Sequence, residues 1–443
     1  MKLTVFNIFK IPEIRNKILV TLGLVLVYRI GFLIPLPGID IVKMKEMFGQ
    51  GGSQGWLGML SSLTGGNLNK ATLFSLGVMP YISASIIFSL LTKAIPSLEA
   101  LSKEGGAGQR KINQYTRLAT IPICMVQSLF VILGQLNTPG TLLPGVGGLG
   151  YYLGVVVALT AGTMFIMWVG EQITEHGIGN GISIIIMAGI IATVPNALIN
   201  FFKQSTLDPD EIWQIMLMYF ASWVAVIVGI VYVTKGQRRI PMQSAKMMRG
   251  RKTFGGQRHY LPFKVNQAGV MPIIFAGALM MLPGILANAP YIGRFFEVFR
   301  SNYSFWYITV LSVLILFFSF FWVNMMFQPK EIADNLRDQG AFIPGIRPGK
   351  KTAEYLQYIM SRVTLAGASF LCIVAVMPNL ITRQIGITNP IFAYFLGGTS
   401  ILIVVEVALD LVEQLNAQLI MNNYEGFMKG DQQRMAGWSK RRS

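Results

Sequence analysis

Two stretches of this chain carry residue types that could do chemistry. Gly345-Ile346-Arg347-Pro348-Gly349-Lys350-Lys351-Thr352 has the glycines and the Gly-Lys pair of a phosphate-binding loop. Three residues stand between the glycines where such a loop has four, and Lys351 occupies the place of the Ser or Thr that holds magnesium. Nucleotide hydrolysis is therefore not indicated. Glu171, Glu175 and His176 read as one short loop, but a zinc site needs further ligands at close spacing, and the only other histidine is His259. Cys124 and Cys372 fall within apolar stretches with no neighbouring cysteine, so they read as small buried apolar residues. The chain is expected to be no enzyme and to hold no cofactor or metal. Energy for any transport must then come from outside it or from a membrane gradient.

The elements around these residues are apolar and long. Of 443 residues, 53% are hydrophobic and 13% charged, against roughly 25% charged in a soluble domain. The apolar residues gather in blocks of about twenty, the length of a helix that crosses ~30 Å of hydrocarbon. Lipid offers the backbone no hydrogen-bond partners, which favours helices as the crossing element. The expected spans are 18–36, 73–92, 118–136, 151–170, 182–202, 212–234, 268–287, 304–327, 363–382 and 391–412. The first is too long for a secretory h-region, has no cleavage site after it, and is read as a retained span.

Charge assigns a side to each loop. The formal net charge is +17, and with a cytoplasmic N-terminus the cytoplasmic segments 1–17, 93–117, 235–264, 328–362 and 413–443 hold 29 of the 37 Lys and Arg residues. This is the positive-inside asymmetry, and ten spans return the C-terminus to the same side. Segment 235–264 holds nine of those basic residues and no Asp or Glu. Such a surface attracts anionic lipid, RNA phosphate or an acidic partner protein, although basic loops also serve simply to fix topology.

Transport is the remaining function class. Carriers of small solutes place ionisable side chains near the bilayer midplane, and here only Arg29 lies well inside a span, with Glu406 and Asp410 toward the end of the last. A solute carrier and a poreless membrane scaffold stay open on these residues alone. Glycine and proline open two spans, at Gly77-Val78-Met79-Pro80 and at Gly177-Ile178-Gly179-Asn180-Gly181. Val78 with Ile82, and Ile182 with Ile186, are four apart and share a helix face.

Five stretches, taken in order, resemble the SecY/Sec61 family in its bacterial form. They are Leu76 to Ile87, Trp168 to Ser183, Gly236-Gln237-Arg238-Arg239-Ile240-Pro241, Asn335 to Gly349, and Gly397-Gly398-Thr399-Ser400. The resemblance covers roughly residues 5 to 425. It implies an all-α polytopic fold of ten transmembrane helices, in two inverted five-helix halves around an hourglass pore. The halves would be 1–202 and 212–425, joined by a hinge at 203–211 and followed by a basic cytoplasmic tail at 426–443. The implied function is that of the pore-forming subunit of a protein translocation channel, passing unfolded polypeptides and releasing hydrophobic segments sideways into lipid.

The resemblance also assigns residues. A pore ring falls on Val78, Ile82, Ile182, Ile186, Ile274 and Ile403, where branched apolar side chains resist wetting. A plug falls on Gly55, Trp56, Leu57, Gly58, Met59, Leu60, Ser61, Ser62, Leu63, Thr64 and Gly65, extending to about residue 66. Ser83, Gln127 and Asn266 match polar positions of a lateral gate. Arg238, Arg239, Arg249, Arg251 and Arg347 match docking loops for a translating ribosome or the motor ATPase SecA. Further implied partners are SecE-type and SecG-type subunits, signal sequences and nascent polypeptides, anionic lipid, and YidC and SecDF. The implied location is the plasma (inner) membrane, multi-pass, with both termini cytoplasmic; a thylakoid membrane is the alternative. Three positions depart from the family pattern. Val78 is smaller than the usual isoleucine, Thr234 replaces an acidic residue, and His176 replaces Arg or Lys.

A plug blocks a channel without doing chemistry. Deleting Gly55–Gly65 is expected to raise ion leakage across a planar bilayer while translocation continues; a deletion as tight as the parent means that another element closes the pore or a replacement plug forms, which a cysteine crosslink fixing the segment in place separates.

Overall fold

The computed structural model describes residues 11–40, 71–132, 142–143, 148–195, 199, 209–244, 247–249, 252–254, 258–286, 293–299, 304–385 and 398–439. The plug segment, Arg251 and most of the 203–211 hinge lie outside them. In chain order the helices are α1 (Pro12–Gly31), α2 (Met79–Ala94), α3 (Pro96–Lys103), α4 (Gly106–Val131), α5 (Leu149–His176), α6 (Gly181–Ile191), α7 (Pro209–Lys235), α8 (Met271–Leu286), α9 (Gly293–Phe296), α10 (Phe305–Met326), α11 (Pro329–Asp338), α12 (Lys350–Ile385) and α13 (Gly398–Ser439). Among the described residues four helices are long and apolar enough to cross a membrane. The bent pair α2 and α3, turned by 99° at Ile95, makes up to five.

Two compact units divide the chain. One takes in α1 to α6 and the part of α13 from Val407; the other runs from Thr193 to Glu406. In the first unit α5 is the central element. Val155, Leu159, Ile166, Val169 and Ile173 are all buried along it, and α1, α2, α4 and α6 pack on it. In the second unit α10 lies between α8 and α12, around a core of Ile273, Ala276, Leu311, Ile315, Leu371 and Leu402. By contrast α7 leaves Trp213, Leu217, Phe220, Val228 and Tyr232 exposed, an apolar surface suited to lipid.

The 235–264 region corrects the expectation of an all-α chain, because the fold is mostly helical and carries two small sheets. Strands β1 (Gln237–Ser244) and β4 (Arg258–Lys264) pair antiparallel from Gln237↔Lys264 to Gln243↔Arg258. Strand β5 (Ala341–Phe342) adds to the other edge of β1. Between them β2 (Met247–Arg249) and β3 (Lys252–Phe254) form a separate pair. Alternation explains the long strands: Ile240 and Phe263 are buried, while Arg239, Pro241, Pro262 and Lys264 are exposed. The buried face packs on Val323, Leu356, Ile359 and Met360. Open sheet edges do not occur in lipid-exposed hydrocarbon, so this hairpin belongs outside it.

Helix starts also differ from the apolar blocks. α2 begins at Met79 with Pro80 in its first turn, and residues 71–78 form turns that include Gly77 at φ +56°. The expected span 73–92 therefore begins as non-helical chain. That chain is held by α1: Phe74 fills the space over Gly31, where a methyl group would overlap the ring. The Phe32 and Phe74 rings meet edge-on at 5.7 Å.

Because the space at Gly31 is already filled, Gly31→Val is expected to cost about 1–3 kcal/mol through overpacking. A lower melting temperature of the purified full chain would register it. Phe74→Leu in the same chain should restore part of the loss.

Candidate functional site

The loop between α5 and α6 brings the first candidate lining residues into place. α5 ends at His176, so Glu171, Glu175 and His176 lie on the last turns of a helix, not on the short loop read from the sequence. The chain then reverses within four residues, and glycine makes each close approach possible. A methyl at Gly181 would overlap the Gly170 carbonyl, and one at Gly177 would overlap Thr21 Oγ1. Gly179 has φ +82°, a conformation costly for residues with a Cβ. Asn180 caps α6, its Oδ1 accepting from the Ile182 amide at 3.1 Å and the Ser183 amide at 3.5 Å. The Gly181 amide donates to Thr174 Oγ1 at 2.9 Å, and the Ile178 amide donates to Thr21 Oγ1 at 3.1 Å. Ile182 lies against Gly170. Ile182 and Ile186 are both partly exposed.

Val78 sits at the N-cap of α2 and is buried, while Ile82 on its first turn is partly exposed. The Ile82 amide donates to the Val78 carbonyl at 3.0 Å, which sets the two residues one turn apart. In the other unit Ile274 lies on the first turn of α8 and Ile403 near the start of α13, both buried. Four of the six candidate ring residues thus belong to the first unit and two to the second.

The polar candidates divide in the same way. Gln127 Nε2 on α4 donates to Ser83 Oγ on α2 at 3.3 Å. Asn266 belongs to the second unit and is buried in the turn from β4 to α8. There the backbone at Val265 passes so close to α12 that Gly367 has no room for a methyl group. One pair absent from the sequence reading also joins two helices: Arg117 on α4 and Glu171 on α5 form an ion pair at 2.5 Å. The Arg117 side chain is 44% exposed, which keeps the worth of this bridge near that of a surface pair, ~1 kcal/mol or less.

Three of the five docking candidates face solvent. Arg238 and Arg239 are exposed on β1, and Arg347 is exposed in the loop before α12. That loop is held by the first turn of α12: Thr352 Oγ1 donates to the Arg347 carbonyl at 2.9 Å, and Gly345 and Gly349 adopt φ +85° and +93°. Arg249 is placed by its backbone on β2. Cys124 and Cys372 are free thiols, and among the described residues no group of His, Cys, Asp or Glu could hold a metal ion.

A family model described as SecY matches residues 72–412. The protein translocase subunit SecY of Streptomyces coelicolor is 42% identical over 446 residues, covering 95% of this chain and 98% of that protein. Among solved structures, one titled for the plug domain of the SecY protein covers 95% of this chain and 98% of its own, with a TM-score of 0.60 and 20% identity. Sec61 in the canine ribosome-channel complex from the endoplasmic reticulum covers the same shares, with a TM-score of 0.57 and 17% identity.

The α6 cap gives a direct test of the loop geometry. Asn180→Ala is expected to cost about 1 kcal/mol and Asn180→Asp much less. Melting temperatures of the two variants, measured on the full chain, should separate accordingly.

Proposed function

Since this chain belongs to the SecY family, we propose that its apolar breaks and basic loops work as the moving parts of the translocase channel that it forms. It is a protein-conducting channel subunit and not an enzyme. The carrier of small solutes left open by the sequence finds no support among its relatives. The observation that carries this reading is the family match itself, which runs unbroken across all six candidate ring residues, from before Val78 to beyond Ile403.

In this reading ten spans in two inverted halves surround an hourglass pore. Val78, Ile82, Ile182, Ile186, Ile274 and Ile403 form its constriction. A narrow ring of branched apolar side chains disfavours water and ions, yet it yields around a polypeptide of any sequence. Gly55–Gly65 fills the resting pore. Ser83, Gln127 and Asn266 bias a lateral gate, which opens when a signal sequence replaces their mutual hydrogen bonds. The Ser83–Gln127 bond, which joins two of the three, supports this.

Arg238, Arg239, Arg249, Arg251 and Arg347 dock the partner that supplies the energy, a SecA motor or a translating ribosome. The exposure of Arg238, Arg239 and Arg347 supports this, and so does the acid-free stretch around the first two. SecE-type and SecG-type subunits complete the channel in the inner membrane, with both termini cytoplasmic.

The constriction is tested by Ile274→Asn and Ile403→Asn. Polar side chains ease wetting, so both resting ion conductance and export of a substrate with a defective signal should rise, and a shift of about 1.4 kcal/mol in the opening equilibrium would change either tenfold. Well-folded variants that leave both quantities unchanged would take these residues out of the ring.

A further inference from the structure

The last turn of α1 carries a cation where apolar side chains are the rule. Arg29 is half-buried, its guanidinium 5.6 Å from the centroid of the Tyr28 ring and 5.7 Å from that of Phe32. Its Nη2 donates to the Ala188 carbonyl and lies 3.4 Å from the Gly189 carbonyl oxygen. Both carbonyls belong to the last turn of α6, at the negative end of the helix dipole, and the Ala188 oxygen also accepts from the Ala192 amide at 3.2 Å. A guanidinium supplies positive charge at this turn and adds a side-chain donor to its carbonyls. Inside a membrane no water stands ready to replace it.

Three residues farther along, the end of α1 holds a second segment. Phe32 packs edge-on against Phe74 at 5.7 Å, and Gly31 leaves room for that ring. The Leu36 amide donates to the Ala71 carbonyl at 2.9 Å, and the Leu73 amide to the Ile34 carbonyl at 3.0 Å. The segment tied down in this way runs through Gly77 into Val78 and α2. One end of α1 thus meets both of the breaks that carry Val78 with Ile82 and Ile182 with Ile186.

We propose that the Arg29–Phe32 turn is a joint anchor that holds α2 and α6 in the sealed arrangement, with Arg29 as a positioning residue acting through the α6 backbone. The proposal rests on the reading of Val78, Ile82, Ile182 and Ile186 as pore lining. An arginine needed only for assembly would fail by loss of folded protein. An anchor instead loosens two segments in a protein that still folds, and a second cation rescues it.

The test uses the full chain in lipid nanodiscs and planar bilayers, with Arg29→Lys, Arg29→Met and Ile186→Asn. In Arg29→Met, amide exchange over Ala188–Ala192 should quicken about tenfold, the scale expected when a partly buried cation leaves a helix C-terminus. Exchange over Leu73–Ile82 and resting ion conductance should rise with it, while Arg29→Lys stays within about twofold of the parent. Unchanged exchange in a folded Arg29→Met variant overturns the anchor. So does faster exchange without leakage, provided that Ile186→Asn leaks. A tight Ile186→Asn variant would instead sink the pore-lining reading, and exchange at the two segments would then decide the anchor alone. Should Arg29→Met not fold, Arg29→Gln, which keeps donors without charge, is judged by the same measurements.

Discussion

A helix that stops inside an apolar bundle leaves backbone groups that only the protein can satisfy. The first unit depends on meeting that requirement at α6, which has only 11 residues. Asn180 accepts from two amides at one end, with Thr174 accepting from Gly181 beside them. Arg29 donates to the carbonyls at the other. A short helix with both ends satisfied can begin and finish within a larger apolar fold. That is how a row of isoleucines comes to stand at a break without the chain around it losing order.

The same requirement explains the glycines. At Gly31, Gly177, Gly181 and Gly367 a neighbouring ring, hydroxyl or carbonyl fills the space where a Cβ would stand. Each removes a side chain where two segments have to touch. In lipid, where helix association draws on packing and hydrogen bonds more than on the hydrophobic effect, close approach is a main source of cohesion.

Much of this was legible in the residues, and the rest has identifiable reasons. Composition and block length led to apolar helices, and the spacing of Val78 with Ile82 and of Ile182 with Ile186 placed each pair on one face. The start of α2 was legible only in part: Gly77 and Pro80 mark it, yet the apolar block runs on through residues 73–76, and the backbone at Gly77 sets them apart from the helix. The β1–β4 hairpin was hidden by its own charge. Its alternation at Ile240 and Met242, and at Leu261 and Phe263, is interrupted to the eye by Pro241 and Pro262 and by the basic residues around them. Glu171 read as part of a loop, yet it closes an ion pair with Arg117, 54 positions earlier. No local pattern announces such a partner. Arg29 stood out at once as a charge within a span, but its acceptors are backbone carbonyls, which every residue has.

One cluster joins the two ends of the chain. Ile14 at the start of α1 and Ile178 in the α5–α6 turn share it with Leu419 on α13. A ribosome adding roughly 5–20 residues per second leaves Ile14 waiting on the order of 20–80 s for Leu419 to be made. Through that interval the first unit has its helices but not its last apolar partner. The order of synthesis therefore makes this unit begin before the second and close after it, so that its completion reports that the residues of the second, Thr193–Glu406, have already been translated.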